Sequence, residues 1–360
     1  MRLFSAWKRW LVAAFRGVSP DLHELNRAQQ LEVLAAYGRY VKEGDFSDRK
    51  HNVQSQTVQM AFRAISTTLE LDGQRNPLET AQGKYPKKIS QLLESYRRTD
   101  KAPVPKLAVP VKVVNHLRAK STIKNDPKTT AVADLCLIAF YYLLRVGEYT
   151  YHNPNQNRRT QQFRLCDITL WQNTTKLDPR LPEGILMKRA TAATLNISNQ
   201  KNGVRQQTIH QEAIHNPNCP VRAIIRRVKH ITNHTRNPQT MIGTYFTKKG
   251  ILRHVSGRNI NDAIKQSVSE LQLDKVGLPP EAVSSHSLRS GGAMAMHLNN
   301  VSDNTIKKMG RWTSDTFLMY IHQQISAFSG GLTEKMSTPI DFHNVAHQFE
   351  PTKGPILVYA

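Results

Sequence analysis

The chain has 360 residues, and its 50 lysines and arginines against 27 aspartates and glutamates leave a formal charge of +23 at neutral pH. With 39% hydrophobic residues it can bury the cores of two domains, and its cationic excess selects a polyanionic partner, nucleic acid before all others. No apolar run of about 18 residues exists and the cations do not line one amphipathic helix, so a membrane partner is not expected.

The three cysteines, Cys136, Cys166 and Cys219, form no CxxC pair. A reducing compartment without a structural zinc site is therefore expected. Met1 to Val18 carries Arg2, Lys8, Arg9 and Arg16 with no acid before Asp21, a pattern shared with Arg-rich transit peptides. Its apolar run, Trp10 to Phe15, is too short for a secretory signal, and Arg16 interrupts it. A basic amphipathic helix of the first domain is the expectation.

Residues 20–100 read as helices, one with Leu31, Val33, Leu34 and Tyr37 on a face, another with Val58, Ala61, Phe62, Ile65 and Leu69 spaced three and four apart. Residues 1–100 hold 16 basic and 11 acidic residues, a balance of +5, which leaves +18 for 101–360. The main polyanion contact is therefore placed in the larger domain. Between them, Pro103, Pro105 and Pro110 mark 101–110 as an extended linker. No internal repeat or low-complexity tract is present.

Thr129 to Leu144 is almost continuously apolar and predicts a buried helix. Arg145 ends it, either as a C-terminal arginine favoured by the helix dipole, with Gly147 as C-cap, or as a functional cation. Thr194–Ser198 and Gln206–His210 alternate like strands around Lys201-Asn202-Gly203, an Asn-Gly hairpin signal. Lys201 is then a solvated turn lysine or a mobile donor at the tip. Pro220 starts a helix whose Arg222, Arg226, Arg227 and Lys229 form a stripe facing either a phosphate backbone or water.

Ser284 or Ser285 caps a helix running through Met296, with His286 and Arg289 three apart near its N-terminus, where backbone amides favour an anion. Gly291 and Gly292 signal a close backbone approach. Ser302 or Asp303 caps a helix that stops at Gly310, and Thr313 or Ser314 caps a last one with Phe317, Leu318 and Ile321 on its core face. Tyr320, on that helix, is a packing residue or a nucleophile. A tyrosine hydroxyl, with a pKa of about 10, attacks only where cations or a base stabilise the phenolate. Arginine forks supply that charge and match phosphate oxygens.

The ordered set Arg145, Lys201, His286-x-x-Arg289, Gly310-Arg311-Trp312 and Tyr320 resembles the tyrosine recombinase (phage integrase) family over roughly 105–330. Within it, Gly310-Arg311-Trp312…Phe317-Leu318-x-Tyr320 and Cys219-Pro220-Val221-Arg222-Ala223 look most like the recombinases of eukaryotic transposable elements. The resemblance implies a mainly α fold with a small β-sheet or hairpin: a helical DNA core-binding domain (1–100), the linker (101–110), a mixed α+β catalytic domain (111–330) and a C-terminal tail (331–360). It makes Arg145 and Arg289 the paired arginines on the scissile phosphate, Lys201 the general acid, His286 the aid to proton transfer and Tyr320 the nucleophile. The family usually has His or Trp nine residues before the tyrosine; here that register holds Arg311, with Trp312 one step later, and the third donor is assigned to Arg311, with the Trp312 indole N–H as the alternative.

The implied activity is site-specific recombination of double-stranded DNA through a 3′-phosphotyrosyl intermediate, by a homotetramer in a synaptic complex, with neither cofactor nor metal. The compartment is nuclear for a eukaryotic element and otherwise cytoplasmic with DNA. Two alternatives stay open, a type IB topoisomerase and a catalytically silent DNA-binding module.

Overall fold

The computed structural model describes residues 2–46, 51–80, 82–101, 106–152, 160–198 and 206–312. The fold is mainly α-helical with small antiparallel sheets, and it divides into Met1–Pro103 and Val104–Ala360. No helix among the described residues is long and apolar enough to cross a membrane.

The first unit holds α1 (Arg2–Ala14), α2 (Arg27–Glu43), α3 (Ser55–Leu71) and α4 (Lys87–Thr99). Asn26 and Gln29 form a reciprocal capping box that starts α2, and Gly44, in the left-handed region at φ 81°, ends it. The predicted faces turn inward: Val33, Leu34 and Tyr37 on α2 are buried and Leu31 partly so, and Val58, Ala61, Phe62, Ile65 and Leu69 on α3 are buried. Helix α1 contributes Phe4, Trp7 and Leu11 to the same core, with Trp7 edge-on to Tyr37 at 4.9 Å and its indole N–H donating to the Pro20 carbonyl. The basic N-terminal segment is thus an integral helix of this unit.

The second unit opens with α5 (Val111–Lys124) and α6 (Pro127–Tyr141), the latter capped by the Asp126 carboxylate on the Thr129 N–H. After the short α7 (Val146–Tyr149) come β1 (Ile168–Gln172), β2 (Thr175–Leu177), α8 (Glu183–Arg189), β3 (Ala192–Ile197), β4 (Gln207–Glu212) and α9 (Pro220–Thr232). A second small hairpin, β5 (Thr244–Phe246) and β6 (Leu252–His254), leads to α10 (Gly257–Glu270), α11 (His286–Leu298) and α12 (Asp303–Gly310). The larger sheet is antiparallel in the order β2-β1-β3-β4, and Thr194 pairs with His210 as hairpin partners. The tip with Lys201, Asn202 and Gly203 lies outside the described residues, as do Tyr320, its expected helix and the 331–360 tail.

Helix α6 is the pillar of this unit, buried almost throughout and packed against α5, α9 and α11. Gly291 and Gly292 make the last contact possible: a methyl group at Gly292 would run into the Phe140 carbonyl oxygen, and one at Gly291 into that of Val109. The close approach expected from the glycine pair is present. Gly292→Ala is expected to destabilise the protein by about 2 kcal/mol through forced separation of α11 from α6, measured by urea unfolding.

Three expectations are corrected. The linker ends earlier than its prolines imply, because Leu107 and Val109 donate backbone N–H groups to Ala282 and Ser287, and Ala108 and Val109 are buried. Gly147 is not a C-cap but the second residue of α7, which Arg145 precedes as N-cap. Three of the four α9 cations are neither solvated nor part of a phosphate track. Arg226 grips Asp134, Lys229 donates to the carbonyls of Arg180 and Leu181, and Arg227, its pKa drawn down by burial to about 10, donates to those of Ile242 and Thr244.

Candidate active site

Three separated segments meet at the turn after α6. Leu143 adopts the left-handed conformation at φ 49°, a strained state for a branched side chain that persists only when its surroundings fix it. Its carbonyl oxygen accepts two arginines, Nη1 of Arg289 at 2.6 Å and Nη2 of Arg311 at 3.0 Å. Two residues on, Arg145 caps α7, and Glu148 reaches back to it. Oε2 of Glu148 accepts the Arg145 backbone N–H at 2.8 Å, and Oε1 accepts Nη1 at 3.2 Å.

Glu148 is fully buried, so its charge needs a close partner. Arg311 supplies it as a two-pronged clamp, Nη1 on Oε1 and Nη2 on Oε2, both at 3.0 Å. Arg311 sits just past α12, whose N-cap Ser302 accepts the Thr305 N–H, and it ends the helix in the left-handed conformation at φ 57°. Burial lowers its pKa while Glu148 raises it, and a guanidinium so paired stays charged.

Helix α11 brings the third segment. Ser284 Oγ accepts the His286 N–H at 3.3 Å, and Asn261 on α10 accepts that of Ser285 at 2.5 Å, which fixes the start of the helix. One turn later Arg289, 2% exposed, donates through Nη2 to the Gly310 carbonyl in addition to the Leu143 bond. The Trp312 ring lies over its guanidinium at 4.4 Å, a cation–π contact. Gly310 is required there, because any Cβ at that position would occupy the volume of the Trp312 ring.

The His286 pKa is lowered, first by partial loss of water around the ring and then by the charges of Arg289 and Arg145. The unfolded chain therefore takes up this proton first, and stability falls as pH drops through the ordinary histidine range. His286 is expected to titrate below 6.5, followed by NMR of its ring protons, and Arg289→Met should move the midpoint upward.

Of the residues singled out in the sequence, Arg145, His286, Arg289, Arg311 and Trp312 come together, while Lys201 and Tyr320 lie outside the described residues. Tyr142 and Tyr149, close to the cage in the chain, are both buried and their pKa values pushed up by burial, so neither phenol is poised to ionise. Sequence reasoning gave no role to Glu148 or Leu143. The signal for Glu148 was its place three residues after Arg145, the spacing of a capping box; nothing local marks Leu143.

No family model matches the chain, and no curated protein matches it. Among solved structures, it is similar to the Tn1549 transposon integrase in complex with circular intermediate DNA, at 12% identity and a TM-score of 0.44, over 97% of this chain and 99% of that one. It is similar to the XerH site-specific recombinase bound to difH substrate in a post-cleavage complex, at 13% identity and 0.47, over 91% and 77%. A lambda integrase dimer bound to a core site shows 13% identity and a TM-score of 0.39, over 88% and 94%.

Proposed function

We propose that the protein is a tyrosine recombinase that cuts and rejoins double-stranded DNA. The observation that supports this reading is the gathering of Arg145, His286 and Arg289, from chain positions up to 144 residues apart, into one cationic site at the Leu143 turn. A site with several guanidiniums, one buried carboxylate and a histidine whose pKa is lowered suits a phosphodiester passing through a more highly charged transition state.

In this mechanism the Tyr320 oxygen attacks phosphorus and the bond from phosphorus to the 5′-oxygen breaks. The tyrosine proton is lost to His286, which partial loss of water around the ring and its cationic neighbours together favour in the neutral, proton-accepting form. The leaving 5′-oxygen takes a proton from Lys201. The products are a 3′-phosphotyrosyl link and a free 5′-hydroxyl, and attack by a 5′-hydroxyl from another strand reverses the step, so no external energy is consumed. Arg145 and Arg289 stabilise the non-bridging oxygens. Four copies in a synaptic complex complete the exchange, with the 331–360 tail docking on a neighbouring protomer. The Gly310-Arg311-Trp312 and Phe317-Leu318-x-Tyr320 pattern favours a recombinase of a eukaryotic transposable element.

The test is incubation of the full chain with a library of nicked duplexes, from which the released fragment diffuses away and traps the intermediate. Denaturation-resistant protein–DNA adducts are expected. Binding without any adduct would leave a silent DNA-binding module, and relaxation of supercoiled DNA without strand exchange would leave a topoisomerase.

A further inference from the structure

We infer that Arg311 is a positioning residue that occupies Glu148 so that this carboxylate does not draw Arg145 into a two-pronged pair away from the phosphate, and that it is not itself the third phosphate donor. This rests on the reading of the cage as a phosphodiester site. Arg311 and Arg289 are both buried with both terminal nitrogens engaged, but Arg311 is paired with the Glu148 carboxylate, which cancels its charge, whereas Arg289 is held by the uncharged carbonyls of Leu143 and Gly310 and keeps its own. Arg145 shares the same carboxylate on weaker terms, through Nη1 to Oε1 at 3.2 Å, and its Nη2 reaches the Arg311 carbonyl oxygen at 3.5 Å.

The competition between the two arginines is the substance of the inference. A buried carboxylate with a single arginine beside it draws that arginine into a two-pronged pair, the geometry of lowest energy for the two groups. Arg145 is three residues from Glu148 and is the one that would be drawn in. Because Arg311 fills both oxygens at 3.0 Å, Glu148 retains Arg145 by one longer side-chain bond and by its backbone N–H, which orients the residue without neutralising it. The same clamp ties the chain leaving α12 to the Leu143 turn, so the departure toward Tyr320 starts from a fixed point.

One atom argues for the opposite role. Arg311 Nε is buried without a hydrogen-bond partner among the described residues, and a phosphate oxygen could take it. The two roles differ in what happens when Glu148 is removed as well. If Arg311 occupies Glu148, loss of Arg311 lets the carboxylate capture Arg145, and a second change, Glu148→Gln, releases it. If Arg311 binds phosphate, removing Glu148 restores nothing.

The experiment measures the single-turnover rate of adduct formation at saturating nicked DNA, the DNA dissociation constant and the melting temperature, for wild type, Arg311→Met, Glu148→Gln and the double variant. Arg311→Met is expected to slow adduct formation about 100-fold, the scale of one lost transition-state donor, with DNA affinity held within about threefold. The double variant is expected to regain at least about tenfold of that rate, a non-additivity that independent sites do not show. Its melting temperature should also exceed that of Glu148→Gln alone, which strands the buried Arg311 charge.

A double variant as slow as Arg311→Met, with wild type active, overturns the inference and makes Arg311 a phosphate ligand. A rate loss that merely follows melting temperature and DNA affinity across the set overturns it in favour of a purely structural role. If Arg311→Met does not fold, Arg311→Lys serves: it keeps the charge but cannot fork across both oxygens, so an intermediate rate is expected and a wild-type rate overturns the inference. Wild type that forms no adduct removes the recombinase reading itself, and this inference with it.

Discussion

Tyr320→Phe is expected to leave DNA affinity unchanged and to abolish the covalent adduct. The substitution removes one oxygen and no charge, so the electrostatic part of DNA binding, which depends on neutralised phosphates, keeps its strength and its salt slope. The two tyrosines beside the cage in the chain are not poised to substitute: Tyr142 is buried with its hydroxyl donating to the Ala193 carbonyl at 2.9 Å, and Tyr149 is buried with a raised pKa. Fluorescence anisotropy at two salt concentrations checks the binding, and denaturing electrophoresis on a nicked duplex checks the adduct. An adduct formed by the phenylalanine variant would remove Tyr320 from the mechanism.

Lys201→Ala is expected to slow cleavage of ordinary DNA by about 10²–10⁴-fold, the range for loss of a general acid. The leaving 5′-oxygen departs as an alkoxide unless protonated, whereas a 5′-sulfur, with a thiol pKa of about 8.5, leaves readily as a thiolate. On a duplex with sulfur at the bridging 5′ position the same variant should therefore cleave at close to the wild-type rate. Arg145→Ala and Arg289→Ala should gain nothing from the sulfur, since the proposed mechanism has them act on the non-bridging oxygens. If Lys201→Ala is as slow on the sulfur substrate as on ordinary DNA, the lysine is not the acid, and His286 or Arg205, four residues further along the sequence, becomes the group to test.

Helix positions and caps were legible before any coordinates. The three- and four-residue spacing from Val58 to Leu69, Pro220 at the start of α9, Ser302 at the start of α12 and the alternation on either side of Asn202-Gly203 are local patterns set by backbone periodicity and by short-range hydrogen bonds. The close approach at Gly291 and Gly292 could be anticipated as well, because absence of a side chain is itself local information.

What each cation does was not legible in the same way. Arg222, Arg226, Arg227 and Lys229 look alike as a stripe, yet Asp134 on α6 and carbonyls from two distant loops decide that the last three are spent inside the protein. Arg311 and Arg289 are both buried arginines beside the same turn, and only the position of Glu148, 163 residues before Arg311, separates an arginine clamped on a carboxylate from one held by the carbonyls of Leu143 and Gly310 and covered by Trp312. By itself the sequence determined the residue types of the cage, their order and the helices that carry them. Tertiary structure alone decided how the charges are shared, because a guanidinium pairs with whichever buried acceptor the fold brings within about 3 Å, and that depends on chain segments whose separation no local pattern records.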